Sequence, residues 1–302
     1  MPVAEVLRKV VQEVVSIEQP EGAGATVRRS IGTYNLRNLD PFLMLDEFKV
    51  QFPAGFPDHP HRGFETVTYM ISGTNEHEDF NGNKGIIGPG DLQWMTAGKG
   101  IVHAEMPLAE SSEPATGLQL WINLPAKEKM CEPSYQDLKD LEIPRATPEE
   151  GIELKVIAGE SYGITSPIRT KNPVYYIDFK MEPNKSAYQI LPAEFTTAFI
   201  YTLKGRVEFP ESGKIIKAHT TVVFDKEGGE KESKIIMKSQ DEPVHFVLIA
   251  GKPLNEPIKQ YGPFVMNDEA GIKKTFLDYQ YGRNGFENAK GWQSVIGRRG
   301  SI

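Results

Sequence analysis

Cysteine is nearly absent. Cys131 is the only one in 302 residues, so no internal disulfide can form and a reducing compartment is expected. No His or basic residue adjoins Cys131, which argues against a nucleophile. The chain also lacks any run of 18 apolar residues, and Glu5, Arg8, Lys9 and Glu13 interrupt the N-terminal valines. Neither a membrane span nor a signal peptide is therefore expected. Basic charge is not in excess: Lys and Arg total 34 against 41 for Asp and Glu, a net charge of −7. That argues against a protein whose main affinity is for nucleic-acid phosphate. Histidine is scarce, at six, which makes its placement informative.

What the chain does have is turns. Gly (28) and Pro (22) punctuate short β-rich runs, the texture of an all-β protein, and the length fits two domains. Glu65 to Ile71 alternates as a strand, and Leu118, Leu120, Ile122 and Leu124 alternate with Gln119, Trp121 and Asn123. Leu43 to Phe48 reads as a buried strand in which Asp46 and Glu47 are solvated or hydrogen-bonded carboxylates. Residues 131–150 change character to Lys, Glu and Pro, with helical promise only from Tyr135 to Leu141, and read as a linker. The segment Tyr201-Thr-Leu-Lys-Gly-Arg echoes Tyr69-Met-Ile-Ser-Gly-Thr, a sign of internal duplication. Asp268 reads as the N-cap of a helix from Glu269 to Gln280, with Ile272, Phe276 and Tyr279 on one stripe. The expected layout is one β-barrel in residues 1–130, the linker 131–150, a second barrel in 151–266, and a short C-terminal helix and tail in 267–302.

Two pairs of metal-ligand residue types stand out. His59 and His61 flank Pro60, and His103 and Glu105 follow the turn Gly98-Lys-Gly. Each pair is spaced i, i+2, which puts both side chains on one face of a strand and on diverging faces of a helix. Pro60 argues against a helix and for an edge strand or bulge. With six histidines, one His-x-His pair arises by chance in about one such chain in ten; the second pair strengthens the case. Two adjacent strands of this kind aim four ligands at one point. Three imidazoles and a carboxylate suit Fe, Mn, Ni, Cu or Zn rather than Ca²⁺, and leave positions open for substrate and O₂. Glu65 is the rival carboxylate. His77 is expected in a solvated loop, His219 at the surface and His245 in the core, so the second half shows no site. Trp94 and Met95 are expected to pack in the core.

These stretches resemble a family. Phe56-Pro-Asp-His-Pro-His-Arg-Gly-Phe-Glu-Thr-Val-Thr-Tyr, Gly90-Asp-Leu-Gln-Trp-Met-Thr-Ala-Gly-Lys-Gly-Ile-Val-His-Ala-Glu-Met-Pro and Gly117-Leu-Gln-Leu-Trp-Ile-Asn-Leu are similar to segments of the pirins, of the cupin superfamily. So are Gly24 to Gly32, Asp40 to Leu43, His245 to Gly251 and Gly262 to Asn267. The resemblance is strongest to eukaryotic pirins and implies two tandem cupin (jelly-roll) barrels facing each other, with iron, Fe(II) or Fe(III), in the first. It places the metal on His59, His61, His103 and Glu105. The general cupin pattern would take Glu65, whereas pirins take the residue two after the last His. Quercetin 2,3-dioxygenase activity is implied, with Glu105 accepting the proton of a flavonol and O₂ as co-substrate. So is a second role, an iron-dependent, redox-sensing transcription coregulator of nucleus and cytoplasm. That role would work by protein contact, without direct nucleic-acid or membrane binding, from a monomer.

Overall fold

The computed structural model describes residues 6–226 and 231–299. Its strands fall into two compact units, each a pair of sheets enclosing its own interior. The first unit gathers residues 17–33, 42–140 and 255–299. Its seven-stranded sheet runs, in spatial order, Ser134–Leu138, Leu92–Thr96, Phe64–Ser72, Ala115–Asn123, Phe42–Val50, Ala25–Ile31, Ile17–Glu21. Its four-stranded sheet runs Phe56–His61, Ile101–Pro107, Asn75–Asp79, Lys84–Ile87. All these pairings are antiparallel, as expected where turns of a few residues join neighbours.

The second unit gathers residues 6–16, 34–41, 141–226 and 231–254. Between its seven-stranded and five-stranded sheets lies an apolar core drawn from both, including Ile177, Phe179, Ile200 and Leu248 from one and Leu191, Val207, Ile235 and Met237 from the other. The echo around Tyr69 and Tyr201 has a structural counterpart. Gly73 and Gly205 end equivalent strands at φ +68° and +75°, and a Cβ at either would lie 2.4 Å from a proline carbonyl oxygen, Pro114 or Pro243. Only glycine tolerates both that backbone and that approach.

The segment boundaries differ from the sequence expectation. Val10–Val15 pairs with Thr220–Phe224, so the N-terminal strand completes the second unit, while residues 255–299 return to the first. Residues 131–150 are not a free linker. Ser134–Leu138 is a strand on the edge Leu92–Thr96, and Arg145–Ala146 pairs with Ile152–Ala158. The expected helical stretch at Tyr135 is thus a strand, because an open sheet edge offers more hydrogen bonds than an isolated helical turn.

Two helices close the chain. Helix α1, Glu269–Tyr281, starts at Asp268, whose side chain accepts from the Gly271 amide at 2.6 Å, and ends at left-handed Gly282. Ile272 packs beside the buried rings of Phe264 and Phe286, while Phe276 and Tyr279 touch that cluster and stay 40% and 38% exposed. Helix α2, Val295–Arg299, was not legible in the sequence. Among the described residues no helix is long and apolar enough to cross a membrane.

Candidate metal centre

Strand pairing assembles the site. Phe56–His61 is the edge strand of the four-stranded sheet, where the missing amide of Pro60 costs no ladder bond. His59 stands directly opposite His103, and His61 opposite Ile101. A register shift between His103 and Glu105 brings Glu105 opposite Phe56. The odd-numbered residues of these strands share one face, so three imidazoles converge, with ring centroids 4.4 to 5.0 Å apart. One ligand nitrogen from each lies within 4.8 Å of the others.

The nitrogens form a group that could hold a cation. His59 Nδ1 lies 2.8 Å from the Pro57 carbonyl oxygen, which fixes that nitrogen as the protonated one and leaves Nε2 unprotonated. His61 Nδ1 and both nitrogens of His103 are buried without a hydrogen-bond partner. Burial, with mutual repulsion, holds His61 and His103 well below the ordinary imidazole range, and burial lowers His59. Neutral imidazoles with unpartnered nitrogens fit a divalent transition metal.

Glu105 is 4% exposed, its Oε2 3.9 Å from His103 Nε2. Thr68 Oγ1 donates to Oε1 at 3.0 Å and Gln119 Nε2 to Oε2 at 3.1 Å. Burial pushes its carboxyl up to about 7, with the two hydrogen bonds pulling against the rise. Phe64 and Trp121 complete a wall beside His61, at 5.1 and 5.3 Å between ring centroids.

Glu65 goes elsewhere. It accepts from Thr96 Oγ1 at 2.7 Å, and strand alternation turns it to the face opposite Thr66 and Thr68. Trp94 is fully buried on that same face, and Met95 joins the cluster of Phe80 and Val102. Asp46 is buried in an ion pair with Arg29 at 2.7 Å. His77 is a correction: it sits on the strand Asn75–Asp79, 5% exposed, opposite Glu105, and burial lowers it to about 4. The charges around it suggested a loop, but the strand needs a residue facing inward at that register. His219 is half-buried with φ +60°, and His245 Nε2 meets Asp178 Oδ1. Among the described residues, neither belongs to a group able to hold a metal. Thr68, Gln119 and Trp121 were missed as site residues. Their signal was present in the alternation, since they share the strand face opposite Leu118 and Leu120.

The comparisons with known proteins give the family and the fold. The family model described as Pirin matches residues 24–122, and the one for the Pirin C-terminal cupin domain matches residues 176–285. Human Pirin is 52% identical over 293 residues, covering 96% of this chain and 98% of its own. The chain belongs to the pirin family. Pirin-like protein 2 of Arabidopsis thaliana is also 52% identical, over 96% of this chain and 89% of its own. Among solved structures, quercetin 2,3-dioxygenase from Acinetobacter baumannii is similar, with a TM-score of 0.84 and 32% identity, over 92% of this chain and 98% of that one. Both units are thus pirin cupin domains, and all four residues of the candidate centre lie within the first match.

Proposed function

We propose that this pirin-family protein oxidises a flavonol with O₂, in the manner of a quercetin 2,3-dioxygenase, with one iron ion held by His59, His61, His103 and Glu105. The observation that carries the reading is the cluster of three buried, neutral imidazoles, with the Glu105 carboxyl buried at 3.9 Å from His103 Nε2. A bound iron ion would supply electron exchange between the flavonol anion and O₂. Glu105 takes the proton of the 3-hydroxyl on a carboxylate oxygen, and Thr68 and Gln119 hold that carboxylate at the angle for transfer. Phe64 and Trp121, with ring centroids 4.5 Å apart and planes tilted by 36°, offer an apolar wall against which an aromatic substrate packs and water is excluded. The similarity to the Acinetobacter enzyme over 92% of the chain supports the same chemistry.

The test is metal content together with aerobic turnover of quercetin, on wild type and Glu105→Ala purified without added metal. Iron with turnover, both reduced in the variant, supports the reading; iron without turnover on any of a panel of flavonols overturns it.

A second reading, a redox-sensing transcription coregulator in nucleus and cytoplasm, is favoured by the outer face of α1. Phe276, Leu277 and Tyr281 are 40 to 62% exposed there, with Tyr261 beside them at 67%. Apolar side chains gathered on one face suit a protein contact. Equal partner binding by the Fe(II), Fe(III) and His59→Ala forms would exclude this role.

A further inference from the structure

We infer that the C-terminal segment, through α1 and α2, braces the metal-ligand strand from behind and sets metal affinity, with Asp58 and Arg62 as positioning residues. This rests on the reading that the imidazole cluster holds a metal, and not on the reaction proposed for it. The strand Phe56–His61 needs such a brace. It lies at a sheet edge, and Pro60 donates no hydrogen bond.

Arg62 follows His61 directly and is 1% exposed. Its Nη1 donates to Asp278 Oδ2 at 3.0 Å and Thr275 Oγ1 at 3.2 Å, both on α1. Nη2 reaches the Asn284 carbonyl oxygen at 2.7 Å and Nε that of Lys99 at 2.6 Å. Asp278, 0% exposed, is held in turn by Asn284 Nδ2 and Arg283 Nε. The Arg62 backbone is also paired, to Pro263 and Val265.

Asp58 precedes His59. Its carboxylate accepts from the backbone amide of Ser294 at 3.1 Å and from the Ser294 hydroxyl. Helix α2 then crosses the back of the sheet. Ile296 packs on Ala104 and Met106, the residues either side of Glu105, and the Val295 amide donates to Glu78 Oε2 at 2.9 Å. Even-numbered residues meet α2 while odd-numbered residues carry the imidazoles, as strand alternation requires. Both neighbours of the His59-Pro60-His61 tripeptide are therefore fixed by residues more than 200 positions away. A brace of this kind keeps three rings within ligand distance before the metal arrives. Removal of such outer partners typically weakens metal binding by about 10–100-fold.

The experiment loads full-length protein with Co(II), measures affinity by chelator competition, and records the visible Co(II) spectrum and the urea midpoint of the metal-free form. Asp58→Ala, Ser294→Ala and Asp278→Asn are compared with Arg206→Gln, a change in an exposed ion pair of the second unit. The expected result is at least tenfold weaker Co(II) binding and an altered spectrum in the first three, under conditions where each is folded. Asp58→Asn, which keeps an acceptor, recovers part of the affinity, and Arg206→Gln matches wild type. Wild-type affinity and spectrum in the folded Asp58 and Ser294 variants would overturn the inference and leave the metal reading standing. No Co(II) binding by wild type would overturn both.

Discussion

In the metal-free protein, changing Glu105 to Gln removes an ionisable group that burial holds far above its ordinary range. Below pH 4.5, the ordinary value, folded and unfolded chains both carry the proton and no difference arises. Between 4.5 and about 7 the unfolded chain releases it while the folded chain keeps it, so stability falls as pH rises. At about 1.4 kcal/mol per pH unit, the loss reaches about 3 kcal/mol and is complete above the folded value. Glu105→Gln escapes that loss. The new amide faces Gln119 Nε2, which must turn over to accept from it, at a cost of about 1 kcal/mol. The variant should therefore be about 2 kcal/mol more stable than wild type at pH 8, with the advantage gone near pH 4.5. Metal reverses the order, because wild type offers an anionic ligand and the variant a neutral one.

All three tryptophans, Trp94, Trp121 and Trp292, lie in the unit that holds the candidate site. Urea unfolding followed by tryptophan fluorescence thus reports that unit, first with a chelator at pH 5 and pH 8, then with Co(II) at pH 8. If the difference between variant and wild type is the same at both pH values, burial of Glu105 is not what destabilises the fold.

His77, held at about 4 against an ordinary 6.5, has the opposite sign. The unfolded chain takes up a proton first as pH falls, so stability present above 6.5 is lost on the way down to about 4, by up to about 3 kcal/mol. His77→Gln should lose less stability between pH 7.5 and pH 4.5 than wild type, read from urea midpoints; equal losses would contradict a buried neutral imidazole. Gly63→Ala should fail or be severely destabilised. Its φ of +87° costs a non-glycine residue about 1–2 kcal/mol, and its Cβ would lie 1.9 Å from the Val265 carbonyl oxygen. A soluble variant with wild-type midpoint would show that the strand after Pro263 is not packed on the ligand loop.

The all-β class, the two barrels and the converging imidazoles were legible because each rests on local spacing. The i, i+2 pairs needed only strand periodicity, and Asp268 marked the start of α1. Chain partition was not legible. Which sheet receives Val10–Val15, or the segment after Asn255, depends on pairing across more than a hundred residues, and no local pattern encodes it. His77 failed for a related reason. Its neighbours Glu76, Glu78 and Asp79 look solvated, yet Glu76 pairs with Arg299, Glu78 caps α2, and Asp79 anchors the amides of Asn81 and Asn83. Each charge has a distant or turn partner that composition does not reveal.

Thr68 and Gln119 were missed because polar residues alternating with apolar ones read as a water-facing surface. In the first unit that polar set instead lines the barrel interior, around Glu105, while Leu118, Leu120 and Ile122 are fully buried on the other face. The internal duplication makes the distinction readable. With Tyr69 matched to Tyr201, Thr66 and Thr68 fall on Ala198 and Ile200, which belong to the apolar core of the second unit. One barrel fills its interior with aliphatic side chains and gains stability from their burial. The other keeps hydrogen-bonding groups there, which must find partners in one another, in a metal or in a substrate. Two threonines in place of alanine and isoleucine on matched strands therefore separate the unit with a polar interior from the unit with an apolar one.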